Sequence, residues 1–129
     1  MQISKIYAGI VTFNPEITRL KQNIDAISPQ LKEVVLFDNG SQNIQQIKKL
    51  LEKYHNVYLI EGHKNKGIAA ALNALMKWGC DKEYQWMLSL DQDSVCQEDF
   101  VKEMSKYLTI EKRLGIVAPV IKDRNIGIV

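Results

Sequence analysis

Apolar residues in this chain fall into short continuous runs that alternate with longer stretches of helical spacing. Lys5 to Val11 is a run rich in β-branched residues and predicts a buried strand. It ends at Thr12-Phe13-Asn14-Pro15-Glu16. There Asn14 suits an N-cap, Pro15 a first helical position, and Glu16 the positive end of a helix dipole. Ile17, Leu20, Ile24 and Ile27 then mark one face of a helix that Ser28-Pro29 stops. Glu33 to Phe37 predicts a second buried strand, closing on the polar turn Asp38-Asn39-Gly40-Ser41. Ser41 or Asn43 is placed to cap a helix with Ile44, Ile47, Leu50 or Leu51, and Tyr54 inward. Val57 to Ile60 reads as a third strand, followed by the loop 61–67 and a helix from Ile68 to Trp78 that Gly79 ends. Tyr84 to Leu90 is nearly all apolar and reads as a central strand buried on both faces. It stops at Asp91-Gln92-Asp93. A helix over 98–108 and a fifth strand over 115–120 complete the pattern.

The order βαβαβαβαβ predicts an α/β fold, with a mainly parallel sheet covered by helices on both faces. With 129 residues, 46% of them hydrophobic, residues 1–129 are read as one domain. A net charge of +2 without a basic block argues against a nucleic-acid partner. No apolar run approaches a membrane span, and the start does not look like a signal peptide. Cys80 and Cys96 match no zinc-site spacing. The expected location is cytoplasmic, with reduced thiols.

In open parallel sheets, ligands bind beyond the carboxyl ends of the strands, near a reversal of strand order. Every cluster of polar residues falls on that edge. Phe13 offers a flat face for a base, and Asp38 an acceptor for a pyrimidine N–H. Asn65, Lys66, Gly67 and the first N–H groups of the following helix suit phosphate. Asp91 and Asp93, at i and i+2 in an extended segment, point to one side. They suit ribose hydroxyls and a hard divalent cation. Taken singly, each has a plainer reading: a strand-end aromatic, a turn with a cap, a solvated loop, an acidic turn. A G-x-G-x-x-G after the first strand, expected of an NAD dehydrogenase, is missing. So is the glycine-rich basic loop expected of a nucleotidyltransferase.

Four segments in order carry a resemblance: Val11 to Glu16, Leu36 to Ser41, Asn65 to Asn73, and Trp86 to Ser94. Together they resemble the family 2 glycosyltransferases of the GT-A fold, most closely the rhamnosyltransferase branch. The resemblance implies a three-layer αβα, Rossmann-like domain, and inverting transfer of a sugar in bacterial surface polysaccharide synthesis. It implies a nucleotide-sugar donor, dTDP-rhamnose or a UDP-sugar, and a divalent metal, Mn²⁺ or Mg²⁺. The acceptor is a carbohydrate or lipid-linked carbohydrate, reached at the inner face of the membrane. Thr12 and Phe13, with Asn14, are expected to line the base pocket, and Asp38 to pair with the pyrimidine. Asn39 and Gly40 shape that loop. Asn65 and Gly67 lie near ribose and diphosphate, with Ala70 and Asn73 on the adjoining helix. Asp91 approaches ribose, sugar and metal, and Asp93 ligates the metal.

Family members continue past the point where this chain stops, and their later region supplies the acceptor pocket and the general base. No catalytic base is therefore expected within these residues. Glu98, Asp99, Glu103, Glu111 and Asp123 match no base motif. The expected product is the donor-binding part of an enzyme; the alternative is a remnant acting as a binding or scaffold module. An open edge or apolar patch after Val120 leads to an expected homodimer.

Overall fold

The structure, a computed structural model, describes residues 3–109, 122–123 and 127–128. Four parallel strands form one sheet: β1 (Ile6–Thr12), β2 (Val34–Asp38), β3 (Val57–Glu61) and β4 (Trp86–Leu90), in the order β3-β2-β1-β4. Helices α1 (Ile17–Ile27), α2 (Ile44–Leu51) and α3 (Ile68–Asp81) connect them in turn, and α4 (Phe100–Ser105) follows β4. The fifth strand expected over 115–120 lies outside the described residues. A short antiparallel pair, β5 (Lys122–Asp123) and β6 (Gly127–Ile128), forms a second sheet.

The two-residue alternation of a strand divides the core between the two faces. Ile6, Ala8 and Ile10 of β1, with Val34 and Leu36 of β2, pack against Leu20, Ile24 and Ile27 of α1, Ile47, Leu50 and Leu51 of α2, and Val101 of α4. Tyr7 and Val35 face the opposite way and pack against Leu75 of α3. Side chains of this size contribute about 1.5–3 kcal/mol each when fully buried. This is the three-layer α/β arrangement read from the sequence.

Three local expectations are corrected. The cap of α1 is Glu16, not Asn14. Both Glu16 carboxylate oxygens accept hydrogen bonds, from the Thr18 N–H at 3.2 Å and the Arg19 N–H at 2.7 Å. Asn14 is drawn out of the capping role into the neighbouring loop, with a left-handed φ of 45°. The second correction is β4. Its only strand partner among the described residues is β1, and Trp86, Met87, Leu88 and Leu90 are half-buried, not fully buried. Third, Gly79 does not end α3, which runs on to Asp81. A Cβ at Gly79 would lie 2.2 Å from the Tyr7 ring. The glycine is there so that helix and strand can approach closely, and the ring has little freedom to retreat. Tyr7 donates its hydroxyl to the Leu75 carbonyl at 2.8 Å, and its ring packs against Trp78 and Tyr84.

Two expectations follow from this contact. Gly79→Ala should destabilise the fold by about 2 kcal/mol, because overpacking outweighs the ~1 kcal/mol that alanine offers a helix. A lower denaturant midpoint at unchanged m-value would register it. The second concerns pH. Burial, reinforced by Cys80, pushes the Tyr7 hydroxyl up to about 12 from 10.0. A raised pKa in an acid means the folded state favours the neutral form. That contribution is complete below pH 10 and is lost as pH rises towards 12. Urea titrations at stepped pH should show stability falling over this window, less steeply in Tyr7→Phe.

Candidate functional site

The chain runs β1, β2, β3 outward in one direction, then returns across the sheet to place β4 on the other side of β1. The reversal of strand order therefore lies between β1 and β4. Thr12 is in register with Asp38, and Asp38 with Glu61, so these strands finish level. The polar turns that follow them, and the turn after β4, are gathered at one edge.

Asp38 is the hub of the first turns and is 2% exposed. One carboxylate oxygen accepts from the Thr12 hydroxyl at 2.8 Å and the Ser41 hydroxyl at 2.5 Å; the other accepts from the N–H groups of Gly40 and Ser41 at 3.1 and 2.8 Å. Four donors use the acceptor capacity of a carboxylate. Ser41 Oγ in turn accepts from the Asn14 N–H at 2.8 Å, and Asn14 Oδ1 accepts from the Gln42 N–H at 2.8 Å. Thr12 O takes the Asn39 N–H at 2.8 Å. The loops after β1 and β2 are thus one hydrogen-bonded unit.

The 61–67 loop is fastened to the same unit. Asn39, nearly buried, donates to the Gly67 carbonyl at 3.2 Å and accepts from the Lys66 N–H at 3.3 Å. Gly40, at φ +90°, allows the contact: a Cβ there would meet the Lys64 Cα at 2.7 Å. Asn65 closes a turn by accepting the Gly67 N–H at 2.8 Å. Gly67, at φ +91°, has open space around its missing Cβ, so backbone conformation rather than packing requires it. Lys64, Asn65, Lys66, Ile68, Ala70 and Asn73 are exposed, whereas Ala71 is buried against the sheet.

The loop after β4 is held from two sides. Gln92 reaches to Phe13: its Oε1 accepts the Phe13 N–H at 2.8 Å and its Nε2 donates to the Phe13 carbonyl at 3.2 Å. From α1, Asn23 donates to the Asp91 carbonyl at 2.7 Å and Arg19 Nε to the Asp93 carbonyl at 2.8 Å. Asn23 is fully buried, and its Oδ1 meets no donor among the described residues. The Asp91 and Asp93 carboxylates are exposed and make no hydrogen bond or ion pair among the described residues. A shallow cleft beside them is lined by Glu16, Thr18, Arg19, Gln22, Gln92 and Asp93. No group of three or more His, Cys, Asp or Glu is placed to hold a metal ion among the described residues. His63, exposed at φ 67°, joins no such group.

The residues expected to form the site divide into two kinds. Thr12, Asn14, Asp38, Asn39 and Asn65 spend their side chains on the chain's own turns. Phe13, 42% exposed, and Ala70, Asn73, Asp91 and Asp93 present theirs to solvent. Sequence reasoning missed Gln92, Asn23 and Arg19. Signals for two of them existed. Gln92 sits between two residues that share a side, so it points to the other. Asn23 interrupts the apolar stripe of Leu20, Ile24 and Ile27, and a buried amide calls for a partner.

Comparison with known proteins agrees with this architecture. Residues 7–127 match Glycosyl transferase family 2. The chain is 36% identical over 126 residues to the dTDP-rhamnosyl transferase RfbF of Shigella flexneri, covering 95% of this chain and 40% of that protein. It thus spans well under half the length of that relative. Among solved structures it is similar to the 4-diphosphocytidyl-2C-methyl-D-erythritol synthase of Anaerococcus prevotii, with a TM-score of 0.67 and 19% identity, over 95% of this chain and 61% of the other. At that identity the likeness concerns the fold alone. With nearly its whole length matched, the chain belongs to glycosyl transferase family 2.

Proposed function

We propose that this chain forms the donor-binding part of a rhamnosyltransferase, which holds a thymidine or uridine diphosphate sugar at the β1/β4 reversal. The reading is carried by one observation: in a chain of this family, the exposed carboxylates of Asp91 and Asp93 stand beside the reversal and no group of the described residues occupies them. The similarity to a dTDP-rhamnosyl transferase supports rhamnose as the sugar.

The assignments follow from what each residue has free. The exposed Phe13 ring takes the base by stacking. Asp38 fixes the turn under the base. A pyrimidine N–H reaches its carboxylate by displacing a donor, and the Thr12 and Ser41 hydroxyls, unlike the two backbone N–H groups, can rotate away. Lys64 and Lys66, with the open backbone at Gly67, face the diphosphate. Ala70 keeps the adjoining helix surface low, and Asn73 offers an amide to ribose. Asp91 and Asp93 hold a divalent cation, Mn²⁺ or Mg²⁺, with Asp93 the principal ligand. Two exposed carboxylates suit a hard divalent ion of this kind, whose remaining ligands would not have to come from the protein. When bound, it neutralises charge on the departing diphosphate. An acceptor hydroxyl attacks the anomeric carbon with inversion while a base takes its proton. None of the described residues is assigned as that base. We place the reaction on the cytoplasmic side of the membrane, towards a carbohydrate or lipid-linked acceptor.

Calorimetry tests the reading. The chain should bind dTDP in Mn²⁺ and lose that binding in excess chelator. Asp93→Ala should weaken the metal-dependent binding by more than about tenfold, the low end of what even outer-shell changes cost a metal site. Its stability should stay within about 0.5 kcal/mol of wild type, as for an exposed residue. Unchanged metal-dependent binding in this variant would remove Asp93 from the site.

A further inference from the structure

We infer that Gln92 is a positioning residue: its side-chain amide clamps the backbone of Phe13 and so fixes the exposed ring that receives the nucleobase. The inference rests on the proposed donor site and goes beyond it, because Gln92 itself touches no part of the donor.

The geometry is that of one strand pairing with another. Gln92 Oε1 accepts the Phe13 N–H at 2.8 Å and Nε2 donates to the Phe13 carbonyl at 3.2 Å. One amide thereby satisfies both backbone groups of one residue. β1 ends at Thr12, so Phe13 has left the ladder, and the strand pairing with β4 ends at Ile10 and Leu90. Its neighbours have other anchors. The Asn14 N–H is held by Ser41, and the Thr12 carbonyl by the Asn39 N–H. Gln92 is the partner that Phe13 has among the described residues. The reverse dependence does not hold. The Asp91 and Asp93 carbonyls are held from α1 by Asn23 and Arg19, whatever residue stands at position 92. Removing the amide therefore frees Phe13 and leaves the carboxylate loop anchored. The side chain between the two carboxylates serves the base end of the site, not the cation end.

The decisive variant is Gln92→Met, which keeps side-chain length and removes both hydrogen bonds. Amide hydrogen exchange by NMR should show the Phe13 N–H losing protection while the Asn14 and Asn39 N–H groups keep theirs. A Phe13 N–H as protected as in wild type overturns the clamp, with or without a ligand. The second measurement is a double-mutant cycle on dTDP binding in Mn²⁺. Gln92→Met should weaken binding by about tenfold, within what one stacked base contributes. In a Phe13→Ala background the same change should cost less than about twofold, because the residue it acts through is gone. Inorganic diphosphate with Mn²⁺ should bind Gln92→Met as it binds wild type. Equal losses in both backgrounds, or a matching loss of diphosphate binding, would overturn a role through Phe13. If wild type bound no nucleotide, the donor-site reading would fall and with it the purpose given to the clamp, while hydrogen exchange would still decide the clamp itself. Should Gln92→Met fail to fold, Gln92→Asn, too short to reach Phe13, replaces it in both measurements.

Discussion

The parallel pairing of β1 with a strand on each side governs everything else in this molecule. β2 pairs with one edge of β1 and β4 with the other. The chain must therefore run outward to β3 and cross back before β4 can form. Two consequences follow from that constraint. The turns after β1 and β4 leave adjacent strands, and the shallow cleft lies between the start of α1 and the β4 loop. And β1, flanked on both edges and packed on both faces, is deeply buried, with Ala8 and Ile10 at zero exposure. Its end at Thr12 is consequently a firm support for the turns attached to it.

Turns at a sheet edge have no ladder to satisfy their backbone groups, so side chains must do it. Here they do so across loops as well as within them. Asp38 draws in Thr12, Gly40 and Ser41; Asn39 joins the β2 turn to residues 66 and 67; Gln92 joins the β4 turn to Phe13. Each such bond contributes only about 0.5–1.5 kcal/mol, but leaving a buried partner unmet costs about 1–3 kcal/mol. The asymmetry favours the joined arrangement over any partly opened one. Rigidity of this kind lowers the entropy lost when a ligand is held between the turns.

Much of this was legible in the sequence, and the reasons for success and failure differ by residue. Strand and helix order followed from hydrophobic period, and the placement of Thr12, Asp38 and Asp91 at one edge followed from topology alone. The N-terminus of α1 was misread because both Asn14 and Glu16 can cap. The choice was made by Ser41 and Gln42, which engage Asn14 from another turn. Gly79 was misread because a glycine near a helix end has two uses, and only the position of the Tyr7 ring separates them. Full burial was expected of β4 from its apolar composition. Composition cannot distinguish a strand covered on both faces from one left half-buried. The residues missed at the site, Gln92, Asn23 and Arg19, act on backbone atoms of distant segments; a local pattern can flag Gln92 and Asn23 but does not name their partners.

The half-burial of β4 raises the question of what holds Asp91 and Asp93 in place, since a half-buried strand is the weaker support. The answer lies in α1. Asn23 stands on the helix face that carries Leu20, Ile24 and Ile27, all at zero exposure, and its amide reaches the Asp91 carbonyl. Arg19, one turn earlier, reaches the Asp93 carbonyl. The carboxylate loop is therefore referenced to the core on one face of the sheet, not to the strand that precedes it. Burying an amide whose Oδ1 has no donor among the described residues carries an energetic penalty, and a hydrophobic residue at position 23 would avoid it. What the amide supplies in return is a fixed height for Asp91 above the sheet. Core packing beneath α1 and the geometry of the carboxylates are in this way one mechanical system. A change at Leu20 or Ile24 would then reach the site without touching it.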